Sequence, residues 1–118
     1  MLLRKLTEAC GAPGQEGEVR NLIRSEIEQY VDELRTDALG NLIAVKNPGA
    51  PGPKVMLAAH MDEVALMIMG IEKNGYLRFR PIGGVDPRVL VAKTVVIGEK
   101  RVPGVIGSKP IHLQKPEE

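Results

Sequence analysis

Apolar residues recur at helical spacing along the first thirty positions. Leu2, Leu3, Leu6 and Ala9 share one face, which predicts a short helix over residues 2–9. "CGAPGQEGE" interrupts it, with two glycines and a proline inside five residues. From Glu16 the helical period returns. Val19, Leu22, Ile23, Ile27 and Tyr30 form the apolar stripe, and Arg20, Arg24, Glu26 and Glu28 mostly take the other side. Glu16 and Glu18 fall in the first turn, where the helix dipole favours a carboxylate.

The period then shortens to two. "YVDELRTDALGNLIAVKN" alternates, turns at "DALGN" and resumes with Leu42–Val45, which predicts a β-hairpin. "NPGAPGP" (47–53) is a surface loop. "KVMLAAH" (54–60) is a short apolar run bounded by turns, the pattern of a fully buried central strand. After Asp62 the texture is mostly strand. "VALMIMGIE", "YLRFRPI", "KTVVIG" and "VPGVIG" are separated by "KNG", "GGVDPR" and "GEKR", as in a small barrel or sandwich. The change of texture near residues 63–70 marks a candidate domain boundary.

Composition narrows the function classes. The 118 residues suffice for one modest domain, and 43% hydrophobic with 26% charged is an ordinary globular balance. Sixteen basic against fifteen acidic residues leave a formal charge of +1, so nothing points to nucleic acid or to an anionic membrane. The aromatics are Tyr30, Tyr76 and Phe79, too few for base-stacking or sugar-stacking platforms. Cys10 is the single cysteine, so no intrachain disulfide forms, which fits a reducing compartment. The N-terminus lacks the basic-then-apolar order of a signal peptide. The longest apolar run, Val64–Met69, is far below the roughly 20 residues of a membrane span. The expectation is a soluble, cytoplasmic protein.

Candidate chemistry concentrates at "AAHMDE", the end of the most apolar strand. In an extended segment residues i and i+2 face the same side, so His60 and Asp62 point together. A carboxylate beside an imidazole holds one ring nitrogen and leaves the other for a metal. In α/β sheets ligand sites lie at the carboxyl ends of central strands. The same two residues also fit a purely structural pair, with Glu63 solvated. A catalytic zinc needs three protein ligands, and the other histidine, His112, lies in the β-rich part. Ser25 and Ser108 lack a nucleophile-elbow context, and the glycine-rich loops lack the Lys-Ser/Thr of a phosphate loop. "IGGVDPR" (82–88) predicts a structural turn in which Asp86 pairs with Arg88 or caps backbone.

Four motifs in order carry a resemblance: "TDALGNLIA" (36–44), "VMLAAHMDEV" (55–64), "LRFRPIGGVDPRVL" (77–90) and "GVIGSKPIHLQ" (104–114). "GAPGQEGEVRNLI" adds a first loop and helix. Together they resemble the tetrahedral (TET) aminopeptidases, also called glutamyl or deblocking aminopeptidases, some of which bear a cellulase or endoglucanase label. The resemblance implies an α/β fold. Residues 1–67 would be the N-terminal segment of a zinc-peptidase-like α/β/α catalytic domain, and 68–118 an incomplete inserted β-rich domain used for dimerisation. It implies two divalent metal ions, zinc or cobalt, peptide substrates, and dimers that build a larger assembly. His60 carries over as a ligand of one metal and Asp62 as the catalytic-site residue that orients it. The family's bridging Asp, its Glu-Glu pair, its further carboxylate and its last His lie beyond the matched stretch. The expectation is therefore an N-terminal portion, inactive alone and holding no metal stably. Ala65 stands where the family usually has glycine.

Two readings of other classes stand beside it. One is a non-catalytic interaction or self-association module with His60–Asp62 as a structural pair. The other takes the cellulase label literally. Adjacent Asp62 and Glu63 point to opposite faces of a strand, which does not flank a sugar with two carboxyls.

Overall fold

A computed structural model describes residues 1–113, and Gln114 and the polar end beyond it lie outside the described residues. Helix α1 spans Leu2–Glu8 and α2 spans Gly17–Ile27, continued by a 3-10 turn at Glu28–Tyr30. Six strands follow: β1 Glu33–Thr36, β2 Leu42–Val45, β3 Ala65–Ile71, β4 Leu77–Ile82, β5 Thr94–Ile97 and β6 Val102–Val105. They pair two by two into separate antiparallel hairpins, β1–β2, β3–β4 and β5–β6. The mixture of helices and strands is that of an α/β protein. Two compact units are present, Met1–Gly83 and a second that opens at Gly84.

In the first unit Lys5 and Glu26 join α1 to α2 through a 2.7 Å ion pair. Val19 is the buried residue of α2, with Leu22, Ile23 and Ile27 half-buried on the same stripe. Tyr30 leaves that stripe and is exposed. It sits in the 3-10 turn, whose three residues per turn rotate the face away from a 3.6-residue period.

The β1–β2 hairpin is set by Asp37. Its Oδ1 accepts from the Leu39 and Asn41 backbone N–H at 3.0 and 2.9 Å, and its Oδ2 accepts from Asn41 Nδ2 at 2.8 Å. Gly40 occupies the left-handed region at φ 88°, which the turn requires. Helix α2 grips the hairpin from one side. Arg20 Nη1 donates to Gly40 O at 2.6 Å, and Arg24 Nη2 donates to Thr36 Oγ1 at 2.9 Å. Strands β3 and β4 run in register from Ala65↔Ile82 to Ile71↔Leu77, with a shift between Ile68 and Gly70 that leaves Met69 as a bulge.

The apolar run before His60 departs from expectation. Residues 53–64 are extended but belong to no strand, and Val55, Met56 and Leu57 are 83%, 88% and 94% exposed. A strand that is apolar on both faces needs neighbours at both edges and layers above and below. Each hairpin here satisfies its ladder with its own sequence neighbour. Among the described residues no strand pairs with 54–59. The buried apolar residues described are Ala9, Val19 and Ile106.

In the second unit "GGVDPR" forms the structural turn expected of it, and Asp86 does both jobs. Its Oδ1 caps the Arg88 backbone N–H at 3.0 Å, and its Oδ2 receives Arg88 Nη2 at 2.6 Å. The Arg88 guanidinium holds the Asp86 carboxyl below the usual carboxylate range. Ile106 is buried and extends the β5–β6 ladder, donating to Lys93 O and accepting from Ala92 N–H, each at 2.9 Å. No helix among the described residues is long and apolar enough to cross a membrane.

Candidate metal centre

His60 and Asp62 lie at the end of the extended segment and face one another. His60 Nδ1 is 2.9 Å from the Asp62 carbonyl oxygen and 3.0 Å from Asp62 Oδ1. Both neighbours are oxygen acceptors, and neither the carbonyl nor an ionised carboxylate has a hydrogen to give. With oxygen acceptors on that side, Nδ1 is the donor of the pair, which leaves Nε2 as the ring nitrogen open to a ligand. The imidazole is open, with its side chain 84% exposed against 45% for Asp62.

Glu63, the next residue, is exposed. It is not simply solvated. Its backbone N–H donates to Gly11 O at 2.8 Å, and the Gly11 N–H is directed at Glu63 Oε1 over 3.5 Å. The loop that breaks the first helix therefore meets the segment carrying the candidate ligand. That loop was legible in the sequence only as punctuation. Its contact with residues 61–63 is the feature that sequence reasoning missed, since Gly11 stands in the same turn-like stretch as Pro13 and Gly14 and nothing in the sequence sets it apart.

The remaining candidates each have a surrounding of their own. Cys10 is exposed. His112 is exposed in the second unit, within the 3-10 turn Ile111–Leu113. Ser25 Oγ donates to Leu22 O at 2.8 Å, a local helix bond. Among the described residues no three of His, Cys, Asp and Glu converge as a metal site would require. The donor chemistry at His60 nevertheless fits one ligand position: an exposed Nε2 lone pair on a ring whose tautomer a carboxylate holds.

Residues 40–118 match the M42 glutamyl aminopeptidase family over their whole extent, His60 and Asp62 included. The chain belongs to this M42 family. Among curated relatives, it is 42% identical to the lysyl aminopeptidase of Pyrococcus furiosus over 119 residues, which is 97% of this chain and 33% of that protein. Among solved structures, the TET1 peptidase of Pyrococcus horikoshii, which can assemble into a tetrahedron or a large octahedral shell, superposes with a TM-score of 0.81. It shares 38% identity over 99% of this chain and 36% of its own. An endoglucanase of Thermotoga maritima superposes with a TM-score of 0.79 at 45% identity, over 93% of this chain and 34% of its own. The chain spans about a third of the length of the curated M42 relatives it matches. Ala65, the position of the expected family glycine, is the first residue of β3 and pairs with Ile82. Its φ is not positive, so the strand backbone here accepts an alanine.

Proposed function

We propose that this chain supplies the first third of a metal-dependent aminopeptidase that removes the N-terminal residue of peptides with the aid of two divalent metal ions, zinc or cobalt. The observation that carries the reading is the His60–Asp62 pair, with Nδ1 engaged at 3.0 Å and Nε2 open, in a chain of the M42 family. His60 would hold one ion through Nε2. Bound metal supplies a Lewis acid and an activated water at neutral pH. Asp62 keeps the imidazole in the ligating tautomer and stops its rotation. The other ligands and the general base are assigned to sequence that this chain does not contain, so the chain alone is inactive and holds metal weakly.

Residues 1–67 would then begin the catalytic domain, and 68–118 would begin the inserted β-rich domain through which dimers build a larger assembly. The shell-forming TET1 relative supports that self-association. The site is cytoplasmic in this reading, and its substrates are peptides with a free amino terminus. The endoglucanase label belongs to a neighbour's name, and Asp62 and Glu63, adjacent in sequence, do not flank a sugar with two carboxyls as glycoside hydrolysis requires.

The test is a chimera in which this chain replaces the matching third of the Pyrococcus furiosus lysyl aminopeptidase. Turnover of aminoacyl-nitroanilides is expected, lost in His60→Ala, while the 118-residue chain alone with added zinc or cobalt gives none. A chimera that works equally well with His60→Ala would overturn the role of His60. His60-dependent turnover by the 118-residue chain would overturn its dependence on further residues.

A further inference from the structure

The segment 53–64 belongs to no strand or helix, so no ladder sets its course. The His60–Asp62 geometry still needs one, because both acceptors of Nδ1 belong to Asp62, which stands between the Met61–Asp62 and Asp62–Glu63 peptides. Glycines in this region differ in kind. Gly14 has φ 81° and open space where a Cβ would be, so it serves a backbone dihedral. Gly11 is the reverse. It is buried and its φ is not positive, yet a Cβ there would lie 2.9 Å from the Met61 carbonyl oxygen and 2.9 Å from Val19 Cγ2.

Neither obstacle yields easily. One is backbone. The other belongs to a β-branched side chain on α2 that is 7% exposed and restricted at χ1. The Glu63 N–H to Gly11 O bond of 2.8 Å holds the two backbones at this separation. Gly11 therefore touches the chain on both sides of Asp62: it packs against the Met61 carbonyl of the peptide that enters Asp62, and it accepts from the Glu63 N–H of the peptide whose carbonyl, Asp62 O, is one of the two Nδ1 acceptors.

We infer that Gly11 is a positioning residue for the His60 imidazole: its missing side chain lets the loop after α1 seat the Met61–Asp62 peptide where Asp62 fixes the Nδ1–H tautomer. The purpose of that tautomer rests on the aminopeptidase reading, but the geometry does not. A methyl at residue 11 pushes the Met61 carbonyl away and carries both acceptors off Nδ1.

The test reads the ring nitrogens of His60 by 15N NMR in the 118-residue chain at about pH 8.5, two units above the ordinary histidine value. A His112→Gln variant assigns the two histidines. The wild-type chain is expected to show His60 with hydrogen on Nδ1. Val19→Ala, which removes one obstacle and leaves the carbonyl in place, keeps that signature. Gly11→Ala loses it to the form with hydrogen on Nε2. Gly11→Ala with Val19→Ala loses it too, and this pair decides the matter if Gly11→Ala alone does not fold, since the added methyl then has room on the α2 side. A folded double variant that keeps the Nδ1–H signature would overturn the inference, as would a wild-type chain that lacks it. The readout needs neither metal nor turnover, so an inactive chimera would count against the aminopeptidase reading and leave this result untouched.

Discussion

Truncating Leu57 to alanine separates two accounts of the segment before the candidate site. In this structure Leu57 is 94% exposed, so about 6% of its surface is shielded. Fully burying a leucine side chain contributes roughly 1.5–3 kcal/mol. The shielded fraction is then worth about 0.1–0.2 kcal/mol, and surface substitutions of this kind stay within about 0.5 kcal/mol. Had the run formed the buried central strand its sequence suggests, the same truncation would cost about 2–5 kcal/mol. The assay is urea denaturation of the wild-type and Leu57→Ala chains, followed by circular dichroism, with the slopes compared before the midpoints are. Coincident curves are expected. A loss of 2 kcal/mol or more at unchanged slope, on the order of a leucine deletion from a packed core, would refute the exposed placement of this segment.

Gly40→Ala is expected to destabilise the first hairpin by about 1–3 kcal/mol, because φ is 88° and the new Cβ would lie 2.9 Å from Arg20 Nη1; urea midpoints check it. The Asp37 carboxyl is held below its ordinary value, chiefly by the Asn41 side-chain amide. A depressed carboxyl contributes stability above its unfolded value, near 3.8, and loses it as pH falls through the lower folded value. Amide signals of Leu39 and Asn41 should therefore hold to below pH 4 and then shift together, whereas Asp37→Asn should abolish that acid-side transition. His60→Ala should leave stability unchanged, since the ring is 84% exposed, and calorimetry with added cobalt or zinc should give less heat of binding for it than for the wild-type chain.

Much of the fold was legible because its pairings are local. The helix read over 2–9 is Leu2–Glu8, and the second begins at Gly17 beside the expected acidic residues. All three hairpins fall where alternation and turn residues placed strands, because a turn such as Asp37–Asn41 fixes register without help from distant chain. The proximity of His60 and Asp62 was legible for the same reason: the two residues are neighbours but one in sequence. The run 54–59 was not, since burial of a central strand depends on partners remote in sequence and a pattern of apolar letters cannot supply them. The Gly11 contact was hidden too. A glycine that serves close approach looks the same in sequence as one that serves a turn.

That contact also sets an order of events in folding. The hairpins close over a few residues, whereas Gly11 and Glu63 are 52 residues apart. Closing the longer loop costs about 2 kcal/mol more in chain entropy than closing one of about five residues. Local helices and hairpins form in microseconds, and the distant contact must wait for them. The Gly11–Glu63 contact beside His60 is then assembled last and released first. Conditions that merely loosen the chain will disarm the candidate ligand well before they melt the hairpins on either side of it.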